Sequence, residues 1–259
     1  MSEVLITPEE EQQLFHIWDK EEIKSLMSRR TYYRTANQRE RELQELWVSE
    51  PSWQETASYG NNIGFYVGMD AIRKHYVADH QARRDARLAA CKAADTTGAW
   101  KSVAADHGSM YLATLNTPLI VVADDGKTAQ FCGYECGRLA DGKPDGTADD
   151  YFTFGLVCVD LARQSDGSWK IWHLIQTHDI SLPVGEDTSK LPLRPDPATD
   201  PVAAEFGAPD IQRTVYDAFL GWENIYYDMP KPHATYEAIY GYGPEGNFGR
   251  RYYERKGVR

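Results

Sequence analysis

Residues 166–180 read DGSWKIWHLIQTHDI, a segment in which apolar and polar positions nearly alternate and which carries His173. Imidazole titrates near neutrality, so a histidine on the inner side of a strand is a candidate general acid or base. It is equally a candidate core residue, hydrogen-bonded to a tyrosine or to backbone. Strict alternation puts Trp169, Ile171, His173, Ile175, Thr177 and Asp179 on one face. Asp179 could orient an imidazole or cap the strand, and His178 points the other way. Tyr33 and Tyr59 are candidate cavity phenols, able to donate to a developing enolate or phenolate oxygen. Arg30, one turn before Tyr33, could hold an anion or pair with a carboxylate.

Glu135 alternates with Ala129, Phe131 and Gly133 on one strand and would face inward in that register. A lone carboxylate on an apolar face has a raised pKa and can serve as a base. It points outward instead if Cys132, Tyr134 and Cys136 form the inward set. Tyr151 opens the next strand and flanks this position. His107, between Asp106 and Gly108, is a second acid/base candidate on a loop. His75 and His80 are five apart on one helix, whereas zinc ligation on one helix face uses a spacing of four. No metal site is expected. Gly241 to Gly246 matches GxGxxG but has no preceding strand, a proline inside and no useful helix after it, so no dinucleotide site is expected.

These side chains need elements to hold them. Thr7-Pro8-Glu9-Glu10 is a capping box with proline at the first helical position. The helical stripe continues through Ile23, Leu26, Met27, Arg30, Tyr33 and Asn37, and a short helix follows at Leu43, Leu46 and Trp47. Residues 51–68 read as strand and turn, and 69–94 as a helix whose Ile72, His75, Tyr76 and Asp79 share a face. From Ser109 the pattern is β, with turns at Asp124-Asp125-Gly126 and Asp166-Gly167. Helices followed by a run of antiparallel strands make an α+β class, not a parallel βαβ sheet. Residues 183–259 are first rich in proline and aspartate, then in tyrosine. A helix is expected at Gln212–Trp222. Disordered tails are poor in aromatics, so the extension is expected to dock on its own domain or on a partner subunit.

The chain has 259 residues and a formal charge of −11, which argues against nonspecific nucleic-acid binding. The acidic N-terminal stretch has no long apolar run, and nothing resembles a membrane span, so a cytoplasmic protein is the expectation. Cys91, Cys132, Cys136 and Cys158 form no CxxC and are expected to be reduced thiols.

The order of these elements carries a resemblance. An aromatic residue near the end of the first helix, then GMDAIRKHY, TPLIVVADDGKTA and DGSWKIWHL, resembles the SnoaL-like branch of the nuclear transport factor 2 superfamily, over roughly residues 15 to 182. The resemblance implies a cone-shaped α+β barrel, in which a curved antiparallel sheet wraps around helices and leaves a deep pocket. Residues 1–182 would form this domain. It also implies a homodimer or higher homo-oligomer through the open sheet face, and cofactor-free acid/base chemistry on a small molecule. Many dehydratase-like members carry an Asp where this chain has Asn37, which cannot act as a base. The implied function is a cofactor-independent lyase, of the dehydratase or C–C lyase type, on a bulky aromatic, polyketide-like or steroid-like compound. A ketosteroid-type isomerase or a non-catalytic binding protein is the alternative. In that reading His173, Tyr33, Tyr59, Asp179 and His107 are catalytic, and Arg30, Asn37, Tyr76, Glu135 and Tyr151 contact the substrate.

Overall fold

The computed structural model describes residues 6–103, 108–187, 189, 208–212, 229–239 and 241–244. Helix α1 (Pro8–Thr35) starts at the expected capping box, with the Thr7 hydroxyl accepting from the Glu10 N–H and the Glu10 carboxylate accepting from the Thr7 N–H. Its buried stripe runs Asp19, Ile23, Leu26, Met27, Arg30 and Arg34. The stripe therefore ends on Arg34, four after Arg30, while Tyr33 drifts to the rim; both steps of three and four are compatible with a helical stripe, and here four wins.

Helices α2 (Arg39–Leu46) and α3 (Pro51–Gln54) follow. Residues 51–54 are thus helical, not the strand expected of them; Pro51 at the first helical position starts this turn. Strands β1 (Ser58–Asn61) and β2 (Gly64–Val67) make a hairpin. The next helix is broken in character. It comprises α4 (Met69–Ile72), a π-helical segment (Arg73–Asp79) and α5 (His80–Ala93).

Four long strands complete the domain: β3 (Ser109–Val122), β4 (Thr128–Gly142), β5 (Ala148–Arg163) and β6 (Trp169–Gln176). Strand β7 (Ile180–Pro183) pairs with β5, and β8 (Ile211–Gln212) pairs with β2. The sheet order is β3-β4-β5-β6-β1-β2-β8, with β1 parallel to β6 and the other pairs antiparallel. Ile23, Leu26 and Met27 of α1 pack with Phe131, Val157, Val159, Leu161 and Leu174, which defines the helix-covered face. Phe65, Leu156, Cys158 and Ile175 form a second cluster on the opposite face, closed by Tyr242 from the C-terminal extension.

Gln212 lies in β8; the rest of the helix expected at 212–222 lies outside the described residues. The described parts of the extension dock on this chain. Asp210 accepts from the Val67 N–H, and the Asp124 and Asp125 N–H groups donate to His233 and Ala234 carbonyls.

Candidate functional site

The side chains singled out in the sequence separate onto two faces of the sheet, and a single bulge decides the separation. Leu161 pairs with Ile171 and Asp160 with His173, so Trp172 is the extra residue on β6. A bulge puts two residues opposite one and resets the alternation. Trp169, Ile171, Leu174 and Gln176 therefore face the helices, while His173 and Ile175 face away. This corrects the expectation that His173 points into the cone along with Trp169 and Ile171.

On its actual face His173 is 5% exposed and sealed. Its Nδ1 lies 2.9 Å from Ser58 Oγ, and its ring packs at 4.0 Å from the Trp172 ring centroid. Gly243 lies over it, close enough that a Cβ there would meet the ring at 3.1 Å. Burial pushes its pKa down to about 3, so the imidazole is neutral throughout the working range. Beside it Asp160 accepts from Gln130, the Tyr236 hydroxyl and the Tyr242 N–H, and burial outweighs those donors and raises its pKa to about 6. Gly241 approaches so closely that a Cβ would meet the Asp160 carboxylate at 2.6 Å. The GxGxxG stretch thus has a structural use at its first two glycines: they admit backbone against Asp160 and His173.

The His173 Nδ1 is engaged by Ser58 rather than by Asp179. The Asp179 backbone N–H bonds to Phe154, and burial raises its carboxyl to about 6 against a hydrogen bond from Thr177. Tyr151 lies in register with Leu139 and Pro183, four positions along β5 from Gly155, the partner of Glu135. His107 lies outside the described residues.

The helix-covered face gathers a different set. Glu135 points inward and is bound by both Nη1 contacts of Arg34, at 2.9 and 3.1 Å, by the Tyr111 hydroxyl at 2.5 Å and by Gln176. Arg30 donates to Gln176 at 2.7 Å and lies 3.3 Å from Glu42, which accepts from the Tyr76 hydroxyl at 2.8 Å. Arg39 stacks on the Tyr76 ring, and Tyr76 packs against Tyr59 at 4.9 Å. Burial alone would raise the Glu135 pKa; Arg34 and Arg30 outweigh it and hold the carboxyl down to about 2. It is a fixed anion, not the poised base expected of a lone carboxylate. Arg34, Glu42, Tyr111 and Gln176 are the members missed from sequence. Arg34 had a usable signal, the spacing of four from Arg30.

Arg39, whose guanidinium also donates to the Tyr76 carbonyl, links this network to the wall of a cleft of about 500 Å³ between the α1–α2 corner and the π-helical turn. Asn37, Arg39, Arg41, Glu45, His80 and Gln81 line it, with Val77 its one apolar lining residue. Asn37 ends the first helix in a left-handed conformation, φ 54°, and its amide lies 3.4 Å from the Gln81 side-chain oxygen. Tyr33 stands at the rim, its hydroxyl donating to Glu45 at 2.5 Å. π-Helical turns widen a helix and recur at functional sites. Here the turn (Arg73–Asp79) ends just before His80, and its own His75 is engaged by Asp79 at 2.7 Å. The structure thus brings together Arg30, Tyr59, Tyr76 and Glu135, places Asn37 in the adjoining cleft with Tyr33 at its rim, and leaves His173, Asp179 and Tyr151 elsewhere. Among the described residues no cluster of His, Cys, Asp and Glu is arranged to hold a metal, and no helix is long and apolar enough to cross a membrane.

Three helices, a hairpin, a further broken helix and then long antiparallel strands packed against the helices make this an α+β fold whose sheet is open rather than closed at its edges. No protein-family model and no curated protein matches the sequence. Among solved structures the chain is similar to an NTF2-like protein with a cystatin-like fold from Novosphingobium aromaticivorans, at 15% identity and TM-score 0.44, over 73% of this chain and 96% of that one. It is also similar to the hexachlorocyclohexane dehydrochlorinase LinA-type3 from Novosphingobium barchaimii, at 13% identity and TM-score 0.41, over 68% and 97%. ActVI-ORFA from Streptomyces coelicolor matches at 11% identity and TM-score 0.41, over 62% and 96%. At these values neither an activity nor a residue role is transferred from them.

Proposed function

We propose that the protein is a cofactor-independent enzyme of the lyase type, acting on a small oxygenated molecule at the cleft lined by Arg39 and His80. The observation that carries this reading is that an imidazole and a guanidinium line one cleft of about 500 Å³, beside a π-helical turn and in front of a buried, hydrogen-bonded network. His80 takes a proton from the carbon next to a carbonyl, and Arg39 stabilises the enolate oxygen. The hydroxyl on the neighbouring carbon leaves as water, protonated by the imidazolium, which restores neutral His80. Asn37 and Gln81 orient the substrate through their amides. Most lining side chains carry polar ends, but the surface they turn to the cleft is more apolar than polar, which supports an oxygenated substrate with a substantial hydrocarbon part.

The test is deuterium exchange next to the carbonyl, together with loss of water, over a panel of β-hydroxy ketones, with binding followed by ligand-observed NMR. His80→Gln is expected to retain binding and lose exchange at least a hundredfold, the usual range for general acid/base catalysis. Arg39→Gln is expected to weaken both. Exchange that is unchanged in His80→Gln would overturn the reading. The homodimer expected from the resemblance would form on the convex face, where Leu112, Phe152, Phe154 and Ile180 are exposed on neighbouring strands. Sedimentation of Phe154→Glu as a monomer would support it.

A further inference from the structure

Cys132 on β4 and Cys158 on β5 are direct cross-strand partners, and their sulfurs lie 3.3 Å apart. Directly paired antiparallel residues have Cα atoms about 4.5–5.5 Å apart, inside the window of about 4.4–6.8 Å that a disulfide accepts. We propose that this pair is a dithiol–disulfide site, oxidised by a low-molecular-weight disulfide. Closure requires the sulfurs to approach by roughly 1.3 Å to reach bonding distance, which side-chain rotation supplies.

The two thiols are not equivalent. Cys158 is fully buried beneath Phe65, Leu156, Ile175 and Tyr242, whereas Cys132 is partly exposed. The covering strand is also irregular there. β3 loses register between Asn116 and Leu119, with Thr117 at φ 49°, and Leu119 is the partner of Cys132. The Cys158 hydrogen bond lowers the Cys132 pKa, while burial raises that of Cys158. Cys132 is therefore the attacking thiol and Cys158 the resolving one.

The Cys132 thiolate attacks one sulfur of the small disulfide, forming a mixed disulfide and releasing one thiolate, which takes a proton. Cys158 then gives up its proton, attacks the Cys132 sulfur and expels the second small thiol. Two protein thiols are oxidised and one small disulfide is reduced, with no other oxidant. Of the remaining cysteines, Cys91 is buried and its thiol donates to the Gly142 carbonyl, and Cys136 lies four residues along β4, on the same outer face.

The experiment is intact-mass and peptide analysis of the full chain after incubation with oxidised glutathione. The expected product is a protein lighter by two hydrogens, with a Cys132–Cys158 cross-linked peptide. Cys158→Ser, or Cys158→Ala if the serine variant misfolds, should instead hold one glutathione on Cys132, and Cys132→Ser should leave Cys158 unmodified. A stable glutathione adduct on the wild-type chain, a cross-link through Cys91 or Cys136, or a wild-type chain that does not react would overturn the proposal.

Discussion

Glu135 and Asp160 are buried carboxylates on adjacent strands of one sheet, on opposite faces, and they have been solved in opposite ways. On the helix-covered face Glu135 lies between Arg30 and Arg34 and stays ionised, with its pKa held down to about 2. On the outer face Asp160 and its cross-strand partner His173 are held by neutral groups, and burial drives both toward their uncharged forms. A buried charge persists only where an opposite charge repays its lost hydration. The difference separates an ion-paired interior, linked to the Arg39–His80 cleft through Arg39, from a dock for the C-terminal extension in which His173 is neutral and Asp160 is held by uncharged donors.

The largest effect is expected at the ion cluster. Glu135→Gln leaves the buried Arg34 guanidinium without its counter-ion and Arg30 with Glu42 alone, and an expected loss of about 3–5 kcal/mol should appear in urea unfolding. Replacing Arg34 and Glu135 together by Met and Leu should recover much of it. A loss below about 1 kcal/mol in the single variant would mean that water already reaches the cluster.

The next effect lies at the dock. A Cβ on Gly241 would stand 1.9 Å from the Tyr236 hydroxyl, and one on Gly243 would stand 3.1 Å from His173. Gly241→Ala is expected to cost about 1–3 kcal/mol, the usual range for overpacking, and to make the extension sensitive to protease. Gly243→Ala should cost less, because its contact is tight but not overlapping.

Acid sharpens the contrast further. His173 has a folded pKa of about 3 against an ordinary 6.5, so below pH 6.5 the unfolded chain binds a proton that the folded chain refuses. Stability falls as pH falls, by up to about 1.4 kcal/mol per pH unit, until the folded pKa is reached. Asp160, raised from 3.8 to about 6, has the opposite sign: the folded chain takes up its proton first, and stability rises on acidification between those values. Asp179 has the same sign as Asp160. Urea midpoints of His173→Asn should therefore rise between pH 6 and 4 relative to wild type, and those of Asp160→Asn should fall. The smallest effect is expected at the rim, where Tyr33→Phe removes a hydrogen bond to the partly exposed Glu45 and should leave the melting temperature unchanged within error.

What the sequence alone determined was whatever its signals could settle locally. The Thr7–Glu10 capping box, Pro8, the aspartate–glycine turns at 126 and 167, and the change from helical to alternating pattern near Ser109 set the element order, because each acts within a few residues. Membership of Arg30, Asn37, Tyr76 and Glu135 in one polar region was legible in part, since each interrupts an apolar stripe. Tertiary structure decided the rest. A bulge exists only relative to a partner strand, so Trp172 gave no sign in the sequence that it would turn His173 away from the helices. Whether Glu135 is a base or a fixed anion depended on Arg34 arriving from a position 101 residues away. Arg39, which lines the cleft with His80, likewise comes from another helix, because charge and proximity across a fold are set by packing and not by spacing along the chain.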